Sequence, residues 1–415
     1  MTSTPSKASA LRGFSQLAVD ATTGVTDLVE AMHRNIAPGA PGPKTKPGRA
    51  RGISGFVYRC IRGVTRLVGG GLDAGLAQLG PLLGEGSASP GREAVQAALN
   101  GVLGDYLVAS GNPLAIPMRL KPSRSSDSAA PAGKLLVLAH GLCMNDLQWN
   151  RGGHDHGAAL ARDLAYTPVY LHYNSGLHIS INGHEFSNQL EHLMRQWPVP
   201  LEELTILCHS MGGLVTRSAV HSGEAAGHEW PRHLKNIVFL GTPHHGASLE
   251  RGGNWVDAIL PISPYTAPLA RLGKIRSAGI TDLRYGSLLD EDWEGNDRFE
   301  RTGDQRRPVP LPADVACFAM AATTGEKSGD LKDHLAGDGL VHVDSALGRH
   351  PHPAMDLAIP EDRQWTVYGI SHFDLLSRPE VYVKIREWLT ATARSSAPSP
   401  AGSPAPGRST AGRRP

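Results

Sequence analysis

Ser210 occupies the most constraining position in this 415-residue chain. It stands between an apolar run at 204–207, typical of a buried strand, and a segment at 214–217 that continues as a helix. The residues between are mostly small, so a sharp strand–turn–helix can close with the serine hydroxyl at its apex. The helix start favours negative charge there. A free serine hydroxyl is a poor nucleophile, so this pattern predicts a nucleophile with a base nearby; the structural alternative is a serine that caps a buried helix.

Short apolar runs recur along the chain and are separated by helical stretches. They lie at 135–139, 169–172, 204–208, 237–240, 315–320 and 365–368. Near-continuous apolar strands alternating with helices predict a mostly parallel central sheet flanked by helices, an α/β fold. Because ligands bind beyond the carboxyl ends of such strands, the residues that follow each run are the candidates for chemistry.

The residues after the first and third runs predict a site for a negatively charged oxygen. His140-Gly141-Leu142 follows the run at 135–139, and Gly141 would let backbone N–H groups approach a substrate. The N–H groups of Leu142 and Met211 are therefore predicted to form an oxyanion hole.

The last two strands supply candidates for an acid and a base. His372 follows the run at 365–368, and Asp338 lies between two glycines after the run at 315–320. His372 is predicted to accept the Ser210 proton, and Asp338 to orient its imidazole. For the acid, Asp330, Asp333 and Asp344 remain as alternatives, and His372 has a purely structural alternative.

Five motifs together resemble those of a known superfamily. They are His140-Gly141-Leu142, His209-Ser210-Met211-Gly212-Gly213, Gly241-Thr242-Pro243-His244-His245-Gly246, Asp338-Gly339-Leu340-Val341 and His372. Over roughly residues 112–390 the chain resembles bacterial lipases and GPI inositol-deacylase-like α/β-hydrolases, although Cys208 replaces the first glycine of the usual G-x-S-x-G. The resemblance implies an α/β-hydrolase fold and a serine esterase or lipase that cleaves carboxylic esters through an acyl-enzyme on Ser210.

The predicted substrate is an ester with an aliphatic acyl chain. An apolar insertion at about 249–312, which includes Trp255, is expected to cap the site and line an acyl pocket. His244 and His245 follow the run at 237–240 and either touch substrate or hydrogen-bond their own loop. No cofactor and no metal is expected. Asp374 resembles a calcium-ligand position of some bacterial lipases, but no second ligand is evident.

The chain divides into three predicted parts. Residues 1–110 form an amphipathic helical segment with a Pro-rich linker at 37–52, residues 112–392 form the catalytic domain, and 393–415 form a disordered tail. Residues 1–70 hold ten Lys/Arg and three Asp/Glu, against a total formal charge of +2. This basic arm predicts peripheral contact of residues 11–68 with an anionic membrane or lipid inclusion, the alternative being packing on the catalytic domain or on a second copy. Nucleic acid is not expected.

The scattered cysteines favour a cytoplasmic protein, because Cys60, Cys143, Cys208 and Cys317 show no metal-ligand spacing and two lie within apolar runs. Other functions use the same machinery. A thioesterase, an amidase or an acyltransferase would carry the same triad. Two alternatives belong to a different class of function. One is a lipid-surface or granule-associated protein in which the N-terminal helices dominate function, and the other is a non-catalytic scaffold.

Overall fold

The structure is a computed structural model that describes residues 7–36, 90–123, 130–247, 276–297, 303–326 and 338–395. Several predicted features lie outside the described residues. They are the linker at 37–52, residues 53–68 of the range predicted to contact lipid, Cys60, Trp255, Asp330, Asp333 and the part of the predicted tail beyond Ser395. Much of the predicted cap insertion also lies outside them, and 276–297 and 303–312 of it are described.

A seven-stranded sheet forms the centre of the molecule. Its strands are β1 (Arg119–Pro122), β2 (Lys134–Ala139), β3 (Thr167–His172), β4 (Glu203–His209), β5 (Leu234–Leu240), β6 (Ala316–Thr323) and β7 (Gln364–Tyr368). Their order across the sheet is β1-β3-β2-β4-β5-β6-β7, and β1 alone is antiparallel to its neighbour. The mostly parallel sheet predicted from the apolar runs is thus confirmed, and β1 is an additional strand.

Eight α-helices are described around this sheet. They are α1 (Lys7–Ile36), α2 (Pro90–Ala109), α3 (His156–Leu164), α4 (Ile179–Arg195), α5 (Met211–Ala225), α6 (Ala278–Asp282), α7 (Val343–Ala346) and α8 (Pro379–Ser395). None of the helices in the described ranges is long and apolar enough to cross a membrane.

The alternation of side chains along β2 shows why both faces of the sheet are covered. Leu135 and Val137 belong to one core cluster, and Leu136 and Leu138 belong to another, so successive residues point to opposite faces. The first cluster includes residues of α2, α4 and α5, and the second includes residues of α3 and α8. Two apolar layers therefore hold the strands rigidly, and the loops at the strand ends are the parts free to vary.

Helix α2 packs as part of the first of these layers. Its Ala98 and Val102 lie in the same core cluster as the sheet. Its Asn100 side chain is buried, donates to the Leu114 carbonyl (2.8 Å) and accepts from the Ile116 N–H (2.9 Å). These bonds fix α2 to the segment that leads into β1, so α2 contacts the sheet domain directly although the predicted boundary lies after it.

Helix α1 docks through one side and leaves another side exposed. Leu11 and Phe14, which belong to its apolar stripe, are 51% and 40% exposed. Ala10 instead joins a small apolar cluster with α2, and the carbonyl of Gly13 accepts a hydrogen bond from Asn112 (3.1 Å). The side of α1 that carries Ala10 and Gly13 lies close to α2 and to the segment that follows it. Part of the apolar stripe of α1 therefore faces outward.

We expect Asn100→Ala to lower the free energy of unfolding by about 1–3 kcal/mol, because the buried Ile116 N–H loses its acceptor and an unpaired buried group costs about that much. The Leu114 carbonyl loses one of two donors and keeps the Gln96 amide (3.0 Å). Urea unfolding of the full chain measures the effect, with Val108→Ala on the exposed side of α2 as the control. Equal stability of the two variants would show that the Asn100 bonds do not hold α2 in place.

Candidate active site

The turn between β4 and α5 carries Ser210 in a strained conformation. Its backbone has φ 54° and ψ −127°, a region that residues with a side chain rarely adopt. Its N–H donates to the Leu240 carbonyl at the end of β5 (2.9 Å), and its carbonyl accepts from the Gly213 N–H (3.0 Å). The serine is only 3% exposed. Hydrogen bonds on both sides therefore hold the sharp turn predicted from the sequence.

Two glycines allow this turn to lie against the end of β2. A Cβ on Gly212 would stand 2.6 Å from the His140 carbonyl oxygen, and a Cβ on Gly141 would stand 2.9 Å from the Ser210 Cβ. Both distances are too short for real side chains. The loop 140–142 and the Ser210 turn therefore meet closely only because neither glycine has a side chain.

Asp338 and His372 form a buried pair at the same edge of the sheet. The Asp338 Oδ2 lies 2.5 Å from the His372 Nδ1. The other carboxylate oxygen, Oδ1, accepts from the N–H groups of Leu340 (2.9 Å) and Val341 (2.8 Å). Asp344, an alternative for the acid, is 69% exposed and lies 3.7 Å from Arg349. Among the described candidates, Asp338 is the carboxylate that contacts His372.

The His372 ring lies beside the serine turn. A Cβ added to Gly241, the residue after Leu240, would stand 2.9 Å from the His372 Cε1, so the ring fills the space over this glycine. The carbonyl of Leu240 accepts a hydrogen bond from the Ser210 N–H. The His372 ring and Ser210 therefore contact neighbouring residues, Gly241 and Leu240. The His372 Nε2 is buried and has no hydrogen-bond partner among the described residues. That nitrogen is available to take a proton.

His209 separates the base from the loop after β2. It is fully buried, its ring centre is 4.6 Å from that of His372, and its Nε2 donates to the His372 carbonyl (3.2 Å). Burial first, and the neighbouring His372 second, hold the pKa of His209 well below its usual value. His209 is thus a neutral donor that adds no competing positive charge beside His372.

Leu142 and Met211 occupy the loops expected to face a substrate oxygen. The pairing of Ala139 with Cys208 brings the ends of β2 and β4 side by side, and both predicted donor residues are buried just beyond them. The Tyr173 hydroxyl donates to the His140 carbonyl (2.8 Å), and the Ser175 Oγ accepts from the Cys143 N–H (3.0 Å).

Tyr173 and Ser175 were not predicted as site residues. The signal for them was their position directly after β3, since β3 ends at the same edge of the sheet.

His244 and His245 contact the protein itself. The Nδ1 of His244 lies 3.4 Å from a guanidinium nitrogen of Arg217, and the Nε2 of His245 donates to the Gly348 carbonyl (3.1 Å). Burial holds the pKa of His244 well below its usual value and lowers that of His245 to about 4. These are loop-holding contacts, and a role in substrate binding stays a prediction.

Asp374 caps the turn that follows the base. Its carboxylate accepts from the Ser371 N–H (2.9 Å) and Oγ (2.7 Å). Within the described ranges no group of three or more His, Cys, Asp or Glu residues could hold a metal ion. Cys143, Cys208 and Cys317 are buried free thiols.

The order of the strands, the strained serine turn after β4 and the Asp–His pair after later strands together define the α/β-hydrolase fold. A family model described as "Domain of unknown function (DUF7379)" matches residues 116–281. No curated protein matches the chain.

Several solved structures are similar to the chain at low identity. The lipase BlEst2 of Bacillus licheniformis, in its mature form, is 16% identical, with a TM-score of 0.41, covering 66% of this chain and 98% of the lipase. EstA from Clostridium botulinum is 14% identical, with a TM-score of 0.37 and coverages of 66% and 91%. The Pyrococcus furiosus esterase Pf2001 is 9% identical, with a TM-score of 0.38 and coverages of 67% and 92%.

We expect acid to destabilise the fold through the buried His156. Its Nε2 donates to the Leu375 carbonyl in the turn that begins at His372, and burial lowers its pKa to about 4. Between the unfolded pKa of about 6.5 and this folded value, the unfolded chain binds one more proton. The free energy of unfolding therefore falls with falling pH, by at most about 1.4 kcal/mol per pH unit from this site.

Urea unfolding between pH 7 and pH 4.5 measures this slope. His156→Gln should reduce it by the contribution of one proton, whereas His221→Gln on the exposed side of α5 should leave it unchanged. Identical slopes for wild type and His156→Gln would contradict the assignment.

Proposed function

We propose that the chain is a serine hydrolase that cleaves carboxylic esters, with Ser210 as nucleophile, His372 as base and Asp338 as acid. The observation that carries the proposal is the buried Asp338–His372 pair, whose ring lies over Gly241, the residue after the Leu240 carbonyl that accepts from the Ser210 N–H. The His372 Nε2 has no partner among the described residues, and Ser210 is strained. Strain and buried pairing are costly, and they concentrate where a reactive geometry is needed.

The proposed reaction proceeds in two balanced steps. The Ser210 Oγ attacks the ester carbonyl while the His372 Nε2 takes the hydroxyl proton, and the N–H groups of Leu142 and Met211 stabilise the oxyanion. The carbon–oxygen bond to the alcohol then breaks, and His372 gives its proton to the departing alcohol. In the second step water attacks the acyl carbon while His372 takes a proton from it; the bond between the acyl carbon and the Ser210 Oγ then breaks, and His372 returns the proton to that oxygen as the carboxylic acid leaves.

The proposed substrate is an ester with an aliphatic acyl chain. A thioesterase, an amidase or an acyltransferase would use the same residues, and these activities differ only in the leaving group or the acceptor. Hydrolysis of p-nitrophenyl esters of increasing acyl length, beside a matched thioester and anilide, separates them. A rate that is independent of acyl length, or higher for the thioester or the anilide, would overturn the ester assignment.

Ser210→Ala and His372→Ala should each lower kcat by about 10³-fold or more, because the nucleophile and its base act as one unit. A fluorophosphonate probe should label the wild type and not Ser210→Ala. Ser222→Ala, on the same helix with its hydroxyl bonded to His184, is the matched control and should remain labelled and active. A labelled and active Ser210→Ala protein would disprove the assignment of the nucleophile.

Asp338→Asn should reduce kcat by about 10³–10⁴-fold, because the amide stabilises the wrong imidazole tautomer. Asp344→Asn is the control, since that side chain is 69% exposed and lies beside Arg349. If the Asp344 variant loses activity and the Asp338 variant retains it, the acid has been assigned to the wrong residue.

We further propose that this protein is a cytoplasmic enzyme and that residues 11–68 hold it at the lipid surface where it meets its substrate. Leu11 and Phe14 support this, because they leave apolar surface exposed on α1. Leu11→Ser with Phe14→Ser should abolish flotation with anionic liposomes without reducing hydrolysis of a soluble ester. Ala18→Ser on the same exposed side is the control. Equal flotation of both proteins would contradict lipid contact by this face.

A further inference from the structure

Helix α2 lies directly against the loop that carries Leu142. A Cβ added to Gly101 of α2 would overlap the Sγ of Cys143 and would stand 2.9 Å from the Cys143 Cα and 3.0 Å from its backbone nitrogen. Backbone atoms cannot turn aside as the end of a long side chain can. The helix and the loop therefore meet at a distance that only glycine allows.

The loop residue at this contact has an unusual backbone. Cys143 has a φ of 59°, in the left-handed region that residues with a side chain seldom adopt. Its N–H donates to the Ser175 Oγ (3.0 Å), and its Sγ points towards the Ala98 carbonyl of α2. Since Cys143 follows Leu142 directly, the contacts that hold Cys143 also fix the peptide planes on either side of it.

Further close contacts hold α2 in register with this loop. The Ser277 Oγ donates to the Gly101 carbonyl (2.6 Å), and the Ala278 N–H donates to the Asp105 carboxylate (3.1 Å). The Asn174 side chain donates to the Gly104 carbonyl (3.0 Å), and a Cβ on Gly104 would overlap it. The helix is thus fixed from two sides, by the segment after β3 and by the start of α6.

We propose that α2 positions the oxyanion loop, with Gly101 and Ser175 as positioning residues that act through Cys143. The inference rests on the proposed function, because it assigns the Leu142 N–H as an oxyanion donor. It places a helix that positions the site before residue 112, outside the predicted catalytic domain.

Displacement of this loop should weaken binding of the transition state more than binding of the substrate. An oxyanion donor must lie about 2.7–3.1 Å from the position of the developing charge, and loss of one donor costs about 10²–10³-fold in kcat. A side chain at position 101 would push Cys143, and with it Leu142, away from that position. An interaction made only in the transition state changes kcat and leaves KM nearly constant.

The decisive experiment compares Gly101→Ala with Gly183→Ala in the full chain. Both glycines lie within helices, and a Cβ on Gly183 of α4 would overlap the Ser218 side chain, so the two changes impose similar crowding. Gly101→Ala should lower kcat by about 10–100-fold with KM unchanged, which is part of the effect of losing one donor. It should weaken inhibition by a trifluoromethyl ketone analogue by the same factor. Gly183→Ala should leave both values near wild type.

A second variant tests whether the effect passes through Cys143. Cys143→Ala removes the sulfur, the nearest of the three atoms that a Cβ at position 101 would meet, and leaves the contacts with the Cys143 Cα and backbone nitrogen. Gly101→Ala combined with Cys143→Ala should therefore recover part of the kcat that Gly101→Ala loses. Ser175→Ala, which removes the acceptor of the buried Cys143 N–H, should lower kcat in the same direction with KM unchanged.

Two outcomes separate this inference from the proposed function. If wild type hydrolyses esters, Ser210→Ala does not, and Gly101→Ala keeps full kcat and inhibitor affinity, then α2 does not position the loop although the function stands. Parallel loss of activity and thermal stability in the Gly101 and Gly183 variants, without recovery in the double variant, also overturns the inference. If wild type shows no Ser210-dependent hydrolysis, the proposed function itself fails.

Discussion

The meeting of the β2 and β4 ends is the contact on which the rest of the site depends. Gly141 and Gly212 remove the side chains that would hold these two strand ends apart, and the Ser210 backbone takes its strained conformation in the gap that results. A strained residue persists only where its surroundings over-determine it. Here two apolar layers hold the strands, and the hydrogen bond from Ser210 to Leu240 fixes the turn to β5.

Burial determines the electrostatics of this edge. His140, His156 and His209 are all fully buried, and burial lowers the pKa of each, to about 3 for His140 and about 4 for His156. Neutral imidazoles serve as hydrogen-bond donors to loop carbonyls without adding charge. The buried carboxylate of Asp338 contacts His372. Because the other three histidines are neutral, they place no additional positive charge near this pair.

The sequence predicted the parallel sheet and the positions of the main candidate residues, because strong periodicity and small-residue turns are local properties. The strand β1 was missed, since its four residues Arg-Leu-Lys-Pro lie at the sheet edge and show no apolar alternation. The side of α1 that docks could not be predicted from the sequence, because docking through Gly13 and Ala10 depends on a neighbour that periodicity does not reveal. Tyr173, Ser175 and the Gly101 contact likewise require knowledge of which loops meet in space.

The hydrogen bond between Ser277 and Gly101 joins residues 176 positions apart. A ribosome makes α2 early, but the partners that hold it at this contact emerge only after the first five strands have been synthesised. At roughly 5–20 residues per second, the delay is on the order of ten to forty seconds. During that interval α2 can already bond to Leu114 and Ile116, which follow it closely in the chain, but it lacks the bonds from Ser277 and Ala278. Its final position against the loop of Cys143 is therefore fixed only after most of the sheet has been synthesised.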